Sequence, residues 1–97
     1  ILVQLASLLE SKRKDLKKAD RALERDLFSI FNNVNIRHNN VDPADPAKYN
    51  AIVAQMTPEE LEHWYDETYQ MCLLAFLQLE HFERKAELDK LESEISG

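Results

Sequence analysis

The placement of glycine and proline constrains the fold of this chain more than any other feature. The three prolines lie at positions 43, 46 and 58, and the single glycine is residue 97. Glycine and proline are the residues that interrupt helices most strongly, so the segments before Pro43 and after Pro58 can each form long helices. Strand-like alternation of apolar and polar residues is absent, and the sequence predicts an all-α fold.

The first segment carries apolar residues at three- and four-residue spacing from Leu2 to Val34. This spacing keeps one apolar stripe on a helix, and it predicts one long helix over about residues 1–32. The spacing does not follow a strict heptad. It therefore favours a short bundle seam over a long two-stranded coiled coil.

The second segment begins with a complete helix-start signal. Thr57 is the expected N-cap, Pro58 the first helical residue and Glu60 the partner in a capping box. Met56 and Leu61 are spaced to form a hydrophobic staple. The sequence predicts a helix over about residues 58–96, roughly 60 Å long at 1.5 Å per residue.

The segment between the two long helices is rich in turn-forming residues. Asparagines and the Asp42-Pro43 and Asp45-Pro46 pairs favour a reversal of the chain, with a short connector helix over about residues 46–55. The expected architecture is an antiparallel helical hairpin of two long helices that completes a helical bundle by oligomerisation. At 97 residues the chain is one helical module. It does not begin with methionine, so we expect it to be a fragment of a larger protein, with processing as the alternative.

The stretch MCLLAFL, residues 71–77, is apolar around the whole helix, so one neighbouring helix cannot cover it. Two seams follow the second helix, one predicted to face its own chain and the other a partner. The first comprises Leu61, Tyr65, Thr68, Cys72, Ala75, Leu79, Phe82 and Ala86, and the second comprises Leu74, Leu77, His81, Leu88, Leu91 and Ile95. The predicted partner interface is Trp64, Met71, Leu73, Leu74, Phe76, Leu77, His81, Leu88, Leu91 and Ile95. A second copy of the chain is the simplest partner, with missing segments of the parent protein or a foreign protein as alternatives. In a monomer, the connector helix could instead cover part of the apolar stretch.

Charge is unevenly distributed along the chain. Residues 1–41 carry 8 basic and 5 acidic groups, whereas residues 42–97 carry 4 and 13, within a formal net charge of −6. One arc of the first predicted helix carries a basic ridge that could bind an anionic partner or remain solvated. Its members are Lys14, Lys17, Lys18, Arg21 and Arg25. The net acidity argues against a generic nucleic-acid-binding protein.

Signatures of catalysis and of cofactor binding are missing from the sequence. A single terminal glycine excludes glycine-rich phosphate-binding loops, and Cys72 alone can form neither an internal disulfide nor a cysteine-based zinc site. Glu60 and His63 have the spacing used in di-iron bundles, but a second such pair is absent. We therefore expect no enzymatic activity, no cofactor or metal, no membrane span, and an intracellular location, cytoplasmic or nuclear.

Two functions remain open at this point. The first is a non-catalytic protein-interaction or oligomerisation module that acts as a scaffold or assembly domain. The second is a small helical RNA-binding or RNA-cleaving domain that uses the loop Arg37, His38 and Asn39. HEPN ribonucleases similarly place an arginine and a histidine after a long helix, although in them several residues separate the two, whereas Arg37 and His38 are adjacent.

Overall fold

The computed structural model describes residues 1–34 and 51–97, and these residues form α-helices and short links without strands. The helices are α1 (Leu2–Ser11), α2 (Arg13–Ala19), α3 (Arg21–Asn33), α4 (Ala51–Ala54) and α5 (Pro58–Ser96). The all-α prediction is confirmed for this part of the chain.

The prediction of one long helix over residues 1–32 is wrong, because the chain leaves the helix at two residues. Lys12 separates α1 from α2 with φ −110° and ψ 13°. Asp20 separates α2 from α3 with extended backbone, at φ −155° and ψ 91°. Its carboxylate Oδ1 accepts a hydrogen bond from the Leu23 backbone N–H at 3.0 Å, which caps α3. Aspartate competes with the helical backbone in this way, so it is more stable at a cap than inside a helix.

The chain reverses direction at Asp20. The Arg13 Nε lies 2.7 Å from the Glu24 Oε1, and the Arg13 guanidinium carbon lies 4.3 Å from the centre of the Phe28 ring. In a continuous helix, residues 13 and 28 would be about 22 Å apart along the axis. The contacts therefore require α2 and α3 to lie side by side in opposite directions, and α1, α2 and α3 all pack against α5.

A single hydrophobic cluster joins these helices. Phe28 and Phe31 pack edge to face with ring centroids 5.3 Å apart, and both are almost fully buried. Val53 of α4 is also buried in this cluster, so the connector helix does cover part of the apolar surface. The described part of the predicted connector helix is Ala51–Ala54; residues 46–50 lie outside the described residues. The buried apolar side chains are Ala6, Leu9, Leu16, Leu23, Leu27, Phe28, Phe31, Val34, Val53, Cys72, Ala75 and Leu79.

The long helix α5 begins where the cap signal predicts. The Thr57 Oγ1 accepts a hydrogen bond from the Glu60 backbone N–H at 3.1 Å, and the Glu60 carboxylate accepts one from the Thr57 N–H at 3.5 Å. Only the first half of α5 is packed, because its last buried residue is Leu79 and every residue from 80 to 97 is exposed. We call residues 80–96 the arm. It extends about 25 Å beyond the packed part of the helix.

Candidate interaction surface

The two seams predicted along α5 have different environments in the structure. Thr68, Cys72, Ala75 and Leu79 of the first seam are buried against the chain, and Leu61 is partly buried. The other three members of that seam are exposed: Tyr65, Phe82 and Ala86. At 100° per residue, these buried positions and the residues of the second seam are centred on opposite sides of α5. Packing of the first seam against α1, α2 and α3 therefore leaves the aliphatic residues of the second facing away from the chain, whereas His81 lines an open cleft with Ala19 and Phe82.

We call the second seam, together with Arg84, the outer stripe. The apolar members are exposed by 45% at Leu74, 62% at Leu77, 39% at Leu88, 51% at Leu91 and 76% at Ile95. Arg84 falls at the same spacing, with steps of three and four residues from Leu74 through Leu77, His81, Arg84, Leu88 and Leu91 to Ile95. Arg84 is absent from the predicted seam, although its spacing alone places it between His81 and Leu88 on the same face. An exposed apolar stripe of this regularity is typical of a surface that packs against another helix.

The other predicted interface residues do not share one surface. Trp64 and Leu73 are exposed, but on the helical wheel Trp64 lies well outside the stripe. Met71 and Phe76 are only partly exposed because they pack against the hydrophobic cluster. The predicted interface is therefore smaller in the structure, and its coherent part is the outer stripe.

The polar centre of the outer stripe is His81 and Arg84. The Arg84 Nη1 lies 3.4 Å from the His81 Nδ1, and the Arg84 Nη2 lies 4.0 Å from the Glu80 Oε1. Two residues at one edge of the stripe, Glu80 and Glu87, carry negative charge. The guanidinium is thus located between apolar residues of the stripe and next to a carboxylate.

The opposite edge of the stripe carries a local ion pair. The Lys85 Nζ donates a hydrogen bond to the Asp89 Oδ1 at 2.7 Å, one helical turn further along the arm. This hydrogen bond and the charge of Asp89 raise the pKa of Lys85. Both side chains are more than half exposed, so solvent screens the pair and it supports the helix only weakly.

The basic ridge does not lie along one helix, because the reversal at Asp20 divides it between α2 and α3. Lys14 and Lys17 line an open cleft with Arg13 and Glu24, and Lys17 lines an adjoining cleft with Arg21 and Arg25. Lys18 is exposed but lines neither of these clefts. The cations are therefore brought together by the fold of two helices, and not by the periodicity of one.

Cys72 lies in the core, as its apolar neighbours predict. The side chain is buried, and burial raises the pKa of its thiol from 9.0 to about 11. The thiol is therefore protonated at neutral pH, and a thiolate nucleophile is disfavoured at this position.

Other predicted chemistry can be located only in part. Arg37, His38 and Asn39 lie outside the described residues. Within residues 1–34 and 51–97, no group of three or more histidine, cysteine, aspartate or glutamate side chains is arranged to hold a metal ion. In the same part of the chain, no helix has the length and apolar character needed to cross a membrane.

Comparisons of the chain with protein-family models, with curated protein sequences and with solved structures find no significant match.

Proposed function

We propose that this chain is a non-catalytic protein-interaction module that assembles through the outer stripe of α5. The observation that carries the proposal is the exposure of five aliphatic side chains on the face of α5 opposite its packed face. Self-association is the form of assembly that the chain can show by itself. An intracellular location, cytoplasmic or nuclear, is part of the same proposal.

The size of the apolar stripe sets the expected strength of association. Burying a whole leucine or isoleucine side chain contributes about 1.5–3 kcal/mol, so each half-exposed residue contributes about 1 kcal/mol. Ten such side chains in a dimer would contribute about 10 kcal/mol, against a cost of about 4–15 kcal/mol for lost rotation and translation. The balance favours weak association that depends on concentration over an obligate dimer.

The arm makes this proposal testable without unfolding the protein. Leu88 is on the outer stripe, whereas Ser93 is on the opposite face of the same arm, and both are exposed and remote from the core. Leu88→Lys and Ser93→Lys therefore add the same charge to the same helix on different faces. The mass of each variant is measured by sedimentation equilibrium up to about 100 μM, and helix content by circular dichroism.

We expect the original chain and Ser93→Lys to associate, and Leu88→Lys to remain monomeric with its helix content unchanged at low concentration. A monomeric original chain over that concentration range would contradict assembly by self-association. Equal association of both variants would contradict the assignment of the outer stripe. The RNA-cleaving alternative depends on Arg37 and His38, which the structure does not describe, and no described feature favours it.

A further inference from the structure

The outer stripe has a spacing between Leu74 and Leu91 that is symmetric about its centre. From Leu74 to Leu91 it consists of two leucines, then His81 and Arg84, then two leucines, separated by steps of three, four, three, four and three residues. The midpoint of this pattern lies between His81 and Arg84. A two-fold axis at that point, perpendicular to the helix, would superimpose the pattern on itself with leucine matching leucine.

We propose that the outer stripe pairs with the outer stripe of a second copy of this chain in antiparallel orientation, about that two-fold axis. The inference rests on the proposed self-assembly and adds the identity, direction and register of the partner. Leu74 would face Leu91 of the second copy and Leu77 would face its Leu88, while His81 and Arg84 would face each other across the centre. Isologous pairing of this kind is the commonest form of homodimer.

The polar centre distinguishes this orientation from a parallel one. In a parallel in-register pair, every residue of the stripe faces its own copy, so two Arg84 guanidinium groups would share one buried layer. Like charges at a buried layer are unfavourable because no opposite charge compensates for their desolvation. In the antiparallel pair, each Arg84 faces a histidine of the second copy and lies beside that copy's Glu80.

The edges of the stripe are compatible with the same geometry. A perpendicular two-fold axis brings the edge with Glu80 and Glu87 of one chain beside the same edge of the other. The two Arg84 side chains lie between these edges, so two guanidinium groups offset four carboxylates. Lys85, at the other edge, approaches the second copy's Gln78, an uncharged side chain whose amide donates a hydrogen bond to Asp20 of its own chain.

The contact has the area of a weak specific dimer. In this register Ile95 of one copy lies level with Gln70 of the other, so the paired segments run from residue 70 to residue 95, about 39 Å of helix. If each helix is treated as a cylinder about 12 Å wide and a third of its surface is buried, the dimer removes about 1,000 Å² from solvent in total. That value lies at the low end of specific interfaces. The main packing of α1, α2 and α3 is against the opposite face of α5, where Thr68, Cys72, Ala75 and Leu79 are buried. The link between α2 and α3 reaches only the Lys85 edge of the stripe, where Asp20 accepts a hydrogen bond from the Gln78 amide and Ala19 lines an open cleft with His81 and Lys85.

Distances between spin labels on the two copies distinguish the antiparallel dimer from a parallel one. Ser96→Cys and Glu83→Cys are labelled separately with a nitroxide, and the distance between copies is measured by double electron–electron resonance. The antiparallel register separates the two labels at position 96 by about 40 Å along the axis, but places the labels at position 83 almost level. A parallel dimer leaves the two labels level along the axis at both positions, so both distances are set by the roughly 8–10 Å separation of the helices and the length of the label side chains, well below about 40 Å. Cys72 is buried and its thiol is protonated, so we expect little labelling at that position. The original chain, treated with the same nitroxide reagent, is the control for it.

Charged variants give a second test of the same contact. Leu88→Lys and Leu77→Glu each place a charge in an apolar layer, so each chain alone should be monomeric. In the antiparallel pair the new lysine of one chain faces the new glutamate of the other, and mixing the two should restore the dimer. In a parallel pair the two substitutions lie three layers apart and mixing should have no effect.

The outcomes separate the two proposals. A dimer with a long distance at 96, a short one at 83 and recovery on mixing supports the antiparallel register. A dimer with short distances at both positions, or with a long distance at 83, overturns this inference and leaves assembly through the stripe intact. A chain that stays monomeric overturns both.

Discussion

Replacing Asp20 by alanine tests the reversal between α2 and α3. The Asp20 carboxylate makes two hydrogen bonds, from the Leu23 backbone N–H at 3.0 Å to one oxygen and from the Gln78 side-chain amide at 3.2 Å to the other. The same side chain therefore caps α3 and ties the turn to α5. Alanine provides neither acceptor, and it is also the residue that most favours a continuous helix.

The expected loss follows from these two contacts. Replacing an aspartate N-cap by alanine costs about 1 kcal/mol, and the hydrogen bond to the Gln78 amide contributes about 1 kcal/mol more. Asp20→Ala should therefore lower the free energy of unfolding by about 2 kcal/mol. In a domain of this size, that corresponds to a fall in Tm of about 8–16 °C.

Urea unfolding followed by circular dichroism measures the effect, with Asp26→Ala as the matched control. Asp26 is also an aspartate of α3, but its side chain is 62% exposed and its contact with Arg25 is long, at 3.6 Å. The control should change stability by no more than about 0.5 kcal/mol. Asp20→Asn retains a capping oxygen and should lose less than Asp20→Ala. If Asp20→Ala were no more destabilising than Asp26→Ala, the assignment of the turn to Asp20 would be refuted.

Two further measurements test the core and the start of α5. Because burial raises the pKa of Cys72 to about 11, the unfolded chain loses the thiol proton at lower pH than the folded chain, and stability falls as pH rises from about 9 to about 11. This loss amounts to about 2 kcal/mol over that range and should be smaller in Cys72→Ala, as urea titrations across that range would show; parallel pH profiles would contradict it. Thr57→Ala should reduce the free energy of unfolding by about 1 kcal/mol through loss of the cap, whereas Thr57→Ser should stay close to the original value. An equal loss in both Thr57 variants would show that the hydroxyl does not carry the effect.

The helix α5 was predictable because all its determinants are local. Thr57, Pro58 and Glu60 lie within four residues of one another, and their signal does not depend on the rest of the fold. The breaks at Lys12 and Asp20 were not predictable from apolar spacing. The buried leucines of α2 and α3 fall at positions that continue the helical spacing across the breaks, so the sequence looks like one continuous helix. Asp20 was a visible candidate cap, but only the contacts of Arg13 with Glu24 and Phe28 show that the chain reverses there.

The candidate surface was predicted in outline and refined by the structure. The spacing of the second seam identified the residues that face away from the chain, because helical periodicity alone determines which residues share a face. Spacing cannot show how far neighbouring helices reach around α5, so Met71 and Phe76 were assigned to a partner although the chain itself partly covers them. The prediction of a basic ridge assumed one continuous helix. The reversal at Asp20 divides the ridge between α2 and α3, so that prediction was wrong about its position.

The two halves of α5 are stabilised by different interactions. Residues up to Leu79 are held by the core, whereas the arm depends on its own backbone hydrogen bonds and on pairs such as Lys85 with Asp89. Glu92 and Glu94 lie near its C-terminal end, and the last turn contains no basic residue, so the helix dipole opposes the helix there. Isolated helices of this length are marginal in water. Under the proposed assembly, pairing of the outer stripe would therefore also stabilise the helix of the arm, and in the unpaired chain the arm would be the part of α5 that opens most easily.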